Sequence, residues 1–202
     1  ELALVPPKQI MMCLGGEPQK PATATKLGHL RAAGVPVHNA EFVRVHRMID
    51  SYTDAHPIVM AAKLNFRPAA RRYAGIILDV YFDHCLAVAW ERYSNEDLDF
   101  FIQRFYRALS ETGIELPERL RQRVPAMISE DWLGSYRSHA GFELAMTRLS
   151  SRLSRGAAEM VSGLADVAAQ AESLRQSFHA FFPELQRHVV HARERISGQS
   201  IR

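Results

Sequence analysis

The fold of this chain is decided by residues 69–93, which read AARRYAGIILDVYFDHCLAVAWERY. The larger apolar residues of this stretch recur at steps of three and four but spread too widely for a single stripe; they are Ile76, Ile77, Val80, Phe82, Leu86 and Val88. Such a spread is typical of a helix that is buried on several sides. We therefore predict one long, central helix over residues 69–93.

Outward from this stretch, the apolar pattern stays helical from Asn39 onward, and no segment alternates as a strand would. A second long helix is predicted over residues 157–182, ended or kinked by Pro183. Residues 1–38 carry five of the ten prolines, which indicates an irregular or divergent N-terminal segment. The prediction is an all-α, single compact helical domain over residues 39–192, followed by a polar C-terminal tail over residues 193–202.

Composition narrows the function classes. The chain has 202 residues, of which 47% are hydrophobic, so it can bury a sizeable core. Two cysteines exclude a disulfide scaffold and a cysteine-rich zinc site, and they favour a reducing, cytoplasmic compartment. No apolar run is long enough to span a bilayer, and a net charge of +3 is a weak signal for nucleic-acid binding. We expect neither a membrane nor a nucleic-acid partner, and the oligomeric state stays open.

Two clusters of acidic residues and histidines do not fit plain core packing. His46 and Asp50 are four residues apart, as are Asp79 and Asp83, and His84 follows directly. Residues four apart share one face of a helix. Burying two carboxylates in the most apolar helix of the chain would cost several kcal/mol unless a cation or a donor compensates. Carboxylates and imidazoles are ligands for Mn²⁺, Mg²⁺ or Fe²⁺, so two such helices would be able to close around one ion.

A structural interpretation of the same residues stays open. Asp79 would be satisfied by an arginine from a neighbouring helix, and Asp83 by the N–H groups of a helix N-terminus. Pairs of this spacing on helices are also common by chance.

Between the two clusters lies a basic stretch without acids. Residues 59–78 contain no Asp or Glu but four bases, which are Lys63, Arg67, Arg71 and Arg72. The arginine fork matches phosphate oxygens, so this stretch is a candidate site for a phosphorylated substrate or an acidic partner. An ordinary solvated basic face is the alternative.

The residues that carry these clusters resemble the acyl carrier protein phosphodiesterases. The resemblance is clearest in residues 46–57 (HRMIDSYTDAHP) and 73–86 (YAGIILDVYFDHCL), and it includes Trp90. Further similarity lies in residues 132–137 (WLGSYR), 148–155 and 178–183, so that about residues 42–191 are covered.

The resemblance implies an all-α fold of the type of the His-Asp phosphohydrolases. It implies removal of the 4′-phosphopantetheine arm from holo acyl carrier protein, with a divalent cation, typically Mn²⁺. It assigns metal-binding roles to His46, Asp79 and Asp83, and catalytic roles to Asp50, Asp79 and His84. The four bases Lys63, Arg67, Arg71 and Arg72 would then neutralise the phosphate or dock the acidic, helical carrier protein.

The N-terminal part departs from the family pattern. Family members begin with an apolar segment of the kind Asn-Phe-Leu-Ala-His, followed by a stretch whose Asp belongs to the site. Residues 1–41 contain neither feature, and the first Asp of the chain is Asp50. This absence leaves open a catalytically impaired module that binds acyl carrier protein through an incomplete metal site. A helical protein-interaction adaptor, in which Asp79 and Asp83 are satisfied structurally, is a further alternative.

Overall fold

A computed structural model describes residues 47–111 and 122–199. Every regular element in these two ranges is helical, which confirms the all-α prediction. None of the helices within them has the length and apolar character needed to cross a membrane. The predicted irregular segment over residues 1–38 lies outside the described residues.

The described residues divide into two compact units. The first unit comprises residues 65–111 and 122–171, and the second comprises residues 47–64 and 172–199. In the first unit the helices are α3 (Pro68–Arg71), α4 (Ala74–Val88), a 3₁₀ turn (Trp90–Arg92), α5 (Leu98–Glu111), α6 (Val124–Ser129), α7 (Trp132–Ser135), α8 (His139–Ser150) and α9 (Ala157–Ala169). The second unit holds α1 (47–55), α2 (Pro57–Leu64) and all but the first residue of α10 (Ala171–Gln199).

Helix α4 is the centre of the first unit, as its apolar pattern predicts. It packs on α8 and α9, and α9 also packs on α3. Its buried positions go most of the way round the helix and are Ala74, Ile77, Leu78, Val80, Tyr81, Phe82, Asp83, Cys85 and Leu86. The candidate site residues of α4 therefore project from an element that neighbours hold on several sides.

The long helix predicted over residues 69–93 is wrong in its extent, because the chain turns at both ends of α4. Residues 72–73 form a turn in which the Tyr73 N–H donates to the Ala70 carbonyl at 2.8 Å. At the other end, the Trp90 indole N–H donates to the Glu96 carbonyl at 2.6 Å. Both aromatic side chains are buried, so their packing outweighs the helix propensity of the residues around them.

The second predicted helix, over residues 157–182, begins where predicted, at Ala157, but it is interrupted at Gln170 and continues past Pro183. Helix α9 ends at Ala169, and Gln170 leaves the helical conformation with φ −130° and ψ 20°. A Tyr81 hydroxyl on α4 donates to the Ala171 carbonyl at 3.1 Å, which fixes the chain just after this break. Pro183 lies inside α10 and does not end it, so one backbone N–H donor is missing from that helix.

Gly156, the residue before α9, gives a testable prediction about the first unit. Its φ is +78°, and a Cβ atom there would lie 1.7 Å from the Tyr73 hydroxyl oxygen. We expect Gly156→Ala to lower the free energy of unfolding by about 1–3 kcal/mol, from backbone strain and this overlap together. Urea denaturation of the variant measures the loss.

A double-substitution cycle separates the two causes. Tyr73→Phe removes the hydroxyl that the new Cβ would meet, so it should recover part of the loss in the Gly156→Ala background. Strict additivity of the two substitutions would show that the overlap with Tyr73 contributes nothing.

Candidate functional site

Asp83 lies on α4 at the wall of a small, mostly apolar cavity. The residue is only 6% exposed. The cavity has a volume of about 20 Å³, enough for one water molecule, and Trp90, Leu133 and Tyr136 are among its other lining residues. A carboxylate buried against such walls loses most of its hydration. The position therefore keeps a carboxylate in surroundings that screen its charge less than water does.

His84, the next residue, has a defined tautomer. Its Nδ1 lies 2.7 Å from the backbone carbonyl oxygen of Tyr136. A carbonyl can only accept, so Nδ1 carries the proton and Nε2 keeps its lone pair. Burial lowers the pKa of His84, and the nearby His139 lowers it further, while the hydrogen bond to Tyr136 opposes both. The imidazole is thus held neutral, with Nε2 able to accept a proton or a metal ion.

Aromatic rings surround His84. The Phe142 ring is stacked against it with centroids 6.2 Å apart, and the Tyr81 ring lies 5.8 Å away. The His139 ring lies 6.2 Å from it on another side, and Glu143 is 3.6 Å from His139. Helix α8, which carries Phe142 and His139, thus forms much of the wall beside this imidazole.

Sequence reasoning missed three of these neighbours. Tyr136 belongs to the string WLGSYR, which the resemblance singled out without giving any residue a role. Phe142 and His139 lie outside the clusters that were considered. Only the packing of α8 on α4 brings them to His84, so no local pattern in the sequence would have shown them.

The remaining predicted site residues fall in different places. Asp79 is half-buried, one turn before Asp83 on the same side of α4. Asp50 is half-buried on α1, in the second unit. His46 lies outside the described residues. The structure thus brings Asp79, Asp83 and His84 together on one helix.

The helix that carries Asp50 is anchored within its own unit by aromatic contacts. Tyr52 is stacked on His188 of α10 with ring centroids 4.1 Å apart. His56 is buried, with its Nε2 3.3 Å from a Glu184 carboxylate oxygen and its ring against Phe181. These contacts hold α1 and the residue that follows it against α10.

The four predicted partner-binding bases differ in what they contact. Lys63 donates to Asp54 at 3.0 Å within the second unit. Arg67 donates from Nε to the buried Asp166 at 2.5 Å, and from Nη2 to the Ser162 carbonyl at 2.9 Å. Arg71 and Arg72 are exposed at and just after the end of α3.

A divalent metal ion fits the chemistry of the donors on α4. Carboxylate oxygens from Asp79 and Asp83 and a neutral His84 nitrogen are ligands that Mn²⁺ and Mg²⁺ accept. Within the two described ranges, however, no three His, Cys, Asp or Glu side chains form a group that could hold an ion. Helix α4 therefore offers part of a ligand set, and any further ligands would have to come from other residues.

A comparison with protein families identifies the chain. The family model described as "Acyl carrier protein phosphodiesterase" matches residues 26–185. The chain belongs to the acyl carrier protein phosphodiesterase family. The match spans most of the chain and includes every residue to which the sequence analysis gave a site role.

Several bacterial proteins named acyl carrier protein phosphodiesterase are similar to this chain. A protein of this name from Enterobacter sp. (strain 638) is 30% identical over 151 residues, covering 74% of this chain and 78% of the relative. One from Klebsiella pneumoniae is 30% identical over 75% of this chain and 79% of the relative. One from Salmonella agona is 30% identical over 76% and 80%. No solved structure matches the chain.

Membership in the acyl carrier protein phosphodiesterase family confirms the resemblance seen in the sequence. The family match begins at residue 26, within the segment that lacks the family's opening pattern, and ends at residue 185. The kinship to His-Asp phosphohydrolases stays a prediction.

Proposed function

We propose that this chain hydrolyses the phosphodiester that joins 4′-phosphopantetheine to a serine of holo acyl carrier protein, releasing the apo protein. The observation that carries the proposal is the family match over residues 26–185, which spans both clusters of acidic residues and histidines. The buried Asp83 and the oriented imidazole of His84 on α4 support it, because hydrolysis of a phosphodiester would use a carboxylate shielded from water and a histidine of fixed tautomer.

In this proposal His46, Asp79 and Asp83 would hold the divalent metal, Mn²⁺ first and Mg²⁺ or Fe²⁺ as alternatives. The bound metal would supply charge stabilisation at the phosphoryl oxygens and would favour ionisation of the attacking water. Asp50 would act as a further ligand or as a base. Burial of Asp83 strengthens any interaction of its carboxylate with a cation, because the surroundings screen charge less than water does.

His84 would move the proton. The Tyr136 carbonyl holds Nδ1–H, so the Nε2 lone pair would accept a proton from the attacking water. The water oxygen forms the new bond to phosphorus, and the bond from phosphorus to the serine oxygen breaks. The proton on Nε2 then passes to that serine oxygen. The products are 4′-phosphopantetheine and the serine hydroxyl of the apo carrier protein, so atoms and charge balance.

The basic stretch before α4 would meet the substrate. Arg71 and Arg72 are exposed and follow the helix that precedes α4 in the chain, whereas Lys63 and Arg67 already contact acids. We therefore expect the first two to contribute most to neutralising the phosphate or the carrier protein, with an affinity that falls as salt rises.

Mixing the chain with holo acyl carrier protein and Mn²⁺ tests the proposed function. We expect mass spectrometry to show loss of the prosthetic group, and we expect EDTA to abolish that loss. Readdition of Mn²⁺ should restore it, which excludes damage to the chain by the chelator.

If no cleavage is seen, the binding of the carrier protein distinguishes between the two alternative functions. Binding of holo carrier protein without cleavage at any metal concentration would support the impaired binding module, in line with the absence of an Asp before Asp50. If the carrier protein neither binds nor is cleaved, both the phosphodiesterase and the binding module are wrong, and the adaptor remains.

A further inference from the structure

Two basic segments without acids, far apart in the chain, belong to the first unit. Residues 65–78 contain three arginines and no Asp or Glu. Residues 144–158 contain three more, Arg148, Arg152 and Arg155, and again no acid. The second segment links α8 to α9, and the family resemblance included its residues 148–155 without giving them a role.

Tyr73 brings the two segments together. Its hydroxyl donates to the backbone carbonyl of Arg155 at 3.3 Å. The Arg72 guanidinium carbon lies 4.9 Å from the centroid of the Tyr73 ring. Gly156 permits this close approach, because a Cβ atom there would lie 1.7 Å from the same hydroxyl oxygen. The Arg72 guanidinium and the backbone of the exposed Arg155 thus both lie against a single buried tyrosine.

Four of the six arginines on these segments have no ion pair with another described residue. Arg67 is paired with Asp166, and Arg148 with Glu130. The other four are exposed and are Arg71, Arg72, Arg152 and Arg155. Arg71 donates from Nε to the Phe66 carbonyl, a bond that leaves its positive charge uncompensated. We call these four the arginine surface.

We propose that the arginine surface docks an acidic helical face of the carrier protein, an inference that rests on the proposed function. Charge complementarity identifies the partner. Four guanidinium groups without ion pairs can form salt bridges with carboxylates and with a serine-linked phosphate on one protein. A single-stranded nucleic acid fits less well, because such sites stack bases on aromatic rings. The Tyr73 ring, which lies beneath Arg72, is buried and unavailable for stacking.

Charge reversal at the two ends of the arginine surface tests this inference. The variants are Arg72→Glu, Arg155→Glu and the two combined, each measured for binding of apo carrier protein by titration calorimetry at low and high salt. We expect each single variant to bind roughly five- to tenfold more weakly, and the double variant to bind more weakly still and with a smaller salt dependence. Tyr73 donates to the Arg155 backbone carbonyl, so the substitution keeps this bond.

Arg92→Glu is the matched control. Arg92 is exposed and lies over the Tyr93 ring at 5.7 Å, much as Arg72 lies over Tyr73, but it follows the other end of α4. Its reversal changes the net charge equally and should leave binding within about twofold. Arg155→Gln serves if Arg155→Glu lowers the thermal midpoint, since it removes the charge without adding one.

The apo carrier protein carries no phosphodiester, so its binding is measured independently of hydrolysis. Weaker binding of the variants but not of Arg92→Glu supports the arginine surface, even if the chain cleaves nothing. Equal binding by all variants overturns it, even if holo carrier protein is cleaved. Displacement of the carrier protein by an oligonucleotide at equal concentration would also overturn it.

Discussion

Asp83→Asn should reduce hydrolysis of holo acyl carrier protein by about a thousandfold or more. The substitution keeps the shape of the side chain but removes its charge, in a position that is 6% exposed. The carboxylate would bind a cation, and a neutral amide cannot take over this role. The rate should therefore fall while the carrier protein still binds. The initial rate is measured by mass spectrometry at saturating Mn²⁺.

Stability separates this role from a structural one. An amide is cheaper to bury than a carboxylate, so we expect the free energy of unfolding of Asp83→Asn to stay within about 2 kcal/mol of the parent. If Asp83 only satisfied donors within the fold, the same change would lower stability and leave the rate per folded molecule untouched.

Asp97→Asn is the matched control for this substitution. Asp97 is exposed at the start of α5, and its Oδ1 accepts from the Phe100 N–H at 3.0 Å. Asn caps a helix about as well as Asp, so neither rate nor stability should change by more than a small factor. A rate for Asp83→Asn above a tenth of the parent rate would show that the carboxylate is not central to the reaction.

The sequence was sufficient to predict the class of fold and the placement of Asp79 and Asp83 on one side of a buried helix, because those features depend on local periodicity. The spread of apolar residues along α4 follows from a helix packed on several sides, and the four-residue spacing of Asp79 and Asp83 follows from helix geometry. The limits of the helices were not predictable in the same way. These limits depend on two side-chain hydrogen bonds. The Tyr81 hydroxyl donates to the backbone carbonyl of Ala171, and the Trp90 indole N–H donates to that of Glu96.

The surroundings of His84 were not predictable for the same reason. The Tyr136 carbonyl that fixes its tautomer is 52 residues away in the chain. Likewise, Arg67 and Arg72 look alike in the sequence, but Asp166, 99 residues beyond Arg67, neutralises only the first. The sequence places charged residues in a segment, whereas the packing of helices decides which charges stay available to a partner.

Phe142→Ala should cause a large loss of stability, and it should also impair the reaction. The Phe142 side chain is wholly buried, and its ring contacts both Tyr81 and His84. Truncation leaves a cavity and should lower the free energy of unfolding by about 3–5 kcal/mol. The thermal midpoint should fall by roughly 6–20 °C, measured by circular dichroism.

The effect on the reaction follows from the stacking of Phe142 against His84. Without that ring, the imidazole loses one wall of its pocket, and small displacements of a catalytic group cost large factors in rate. We expect the rate per folded molecule to fall by roughly ten- to a hundredfold, measured well below the lowered midpoint.

Phe178→Ala is the control, because Phe178 is equally buried but lies in the second unit. Phe178→Ala should lower the free energy of unfolding by a similar amount but should leave the surroundings of His84 unchanged. Phe142→Leu keeps most of the apolar volume, so it should lose less stability and less of the rate per folded molecule than Phe142→Ala. If Phe142→Ala and Phe178→Ala lowered the rate equally at matched folded fractions, the aromatic wall beside His84 would be a feature of stability alone. A selective loss in Phe142→Ala would instead tie the packing of α8 on α4 to the orientation of the imidazole.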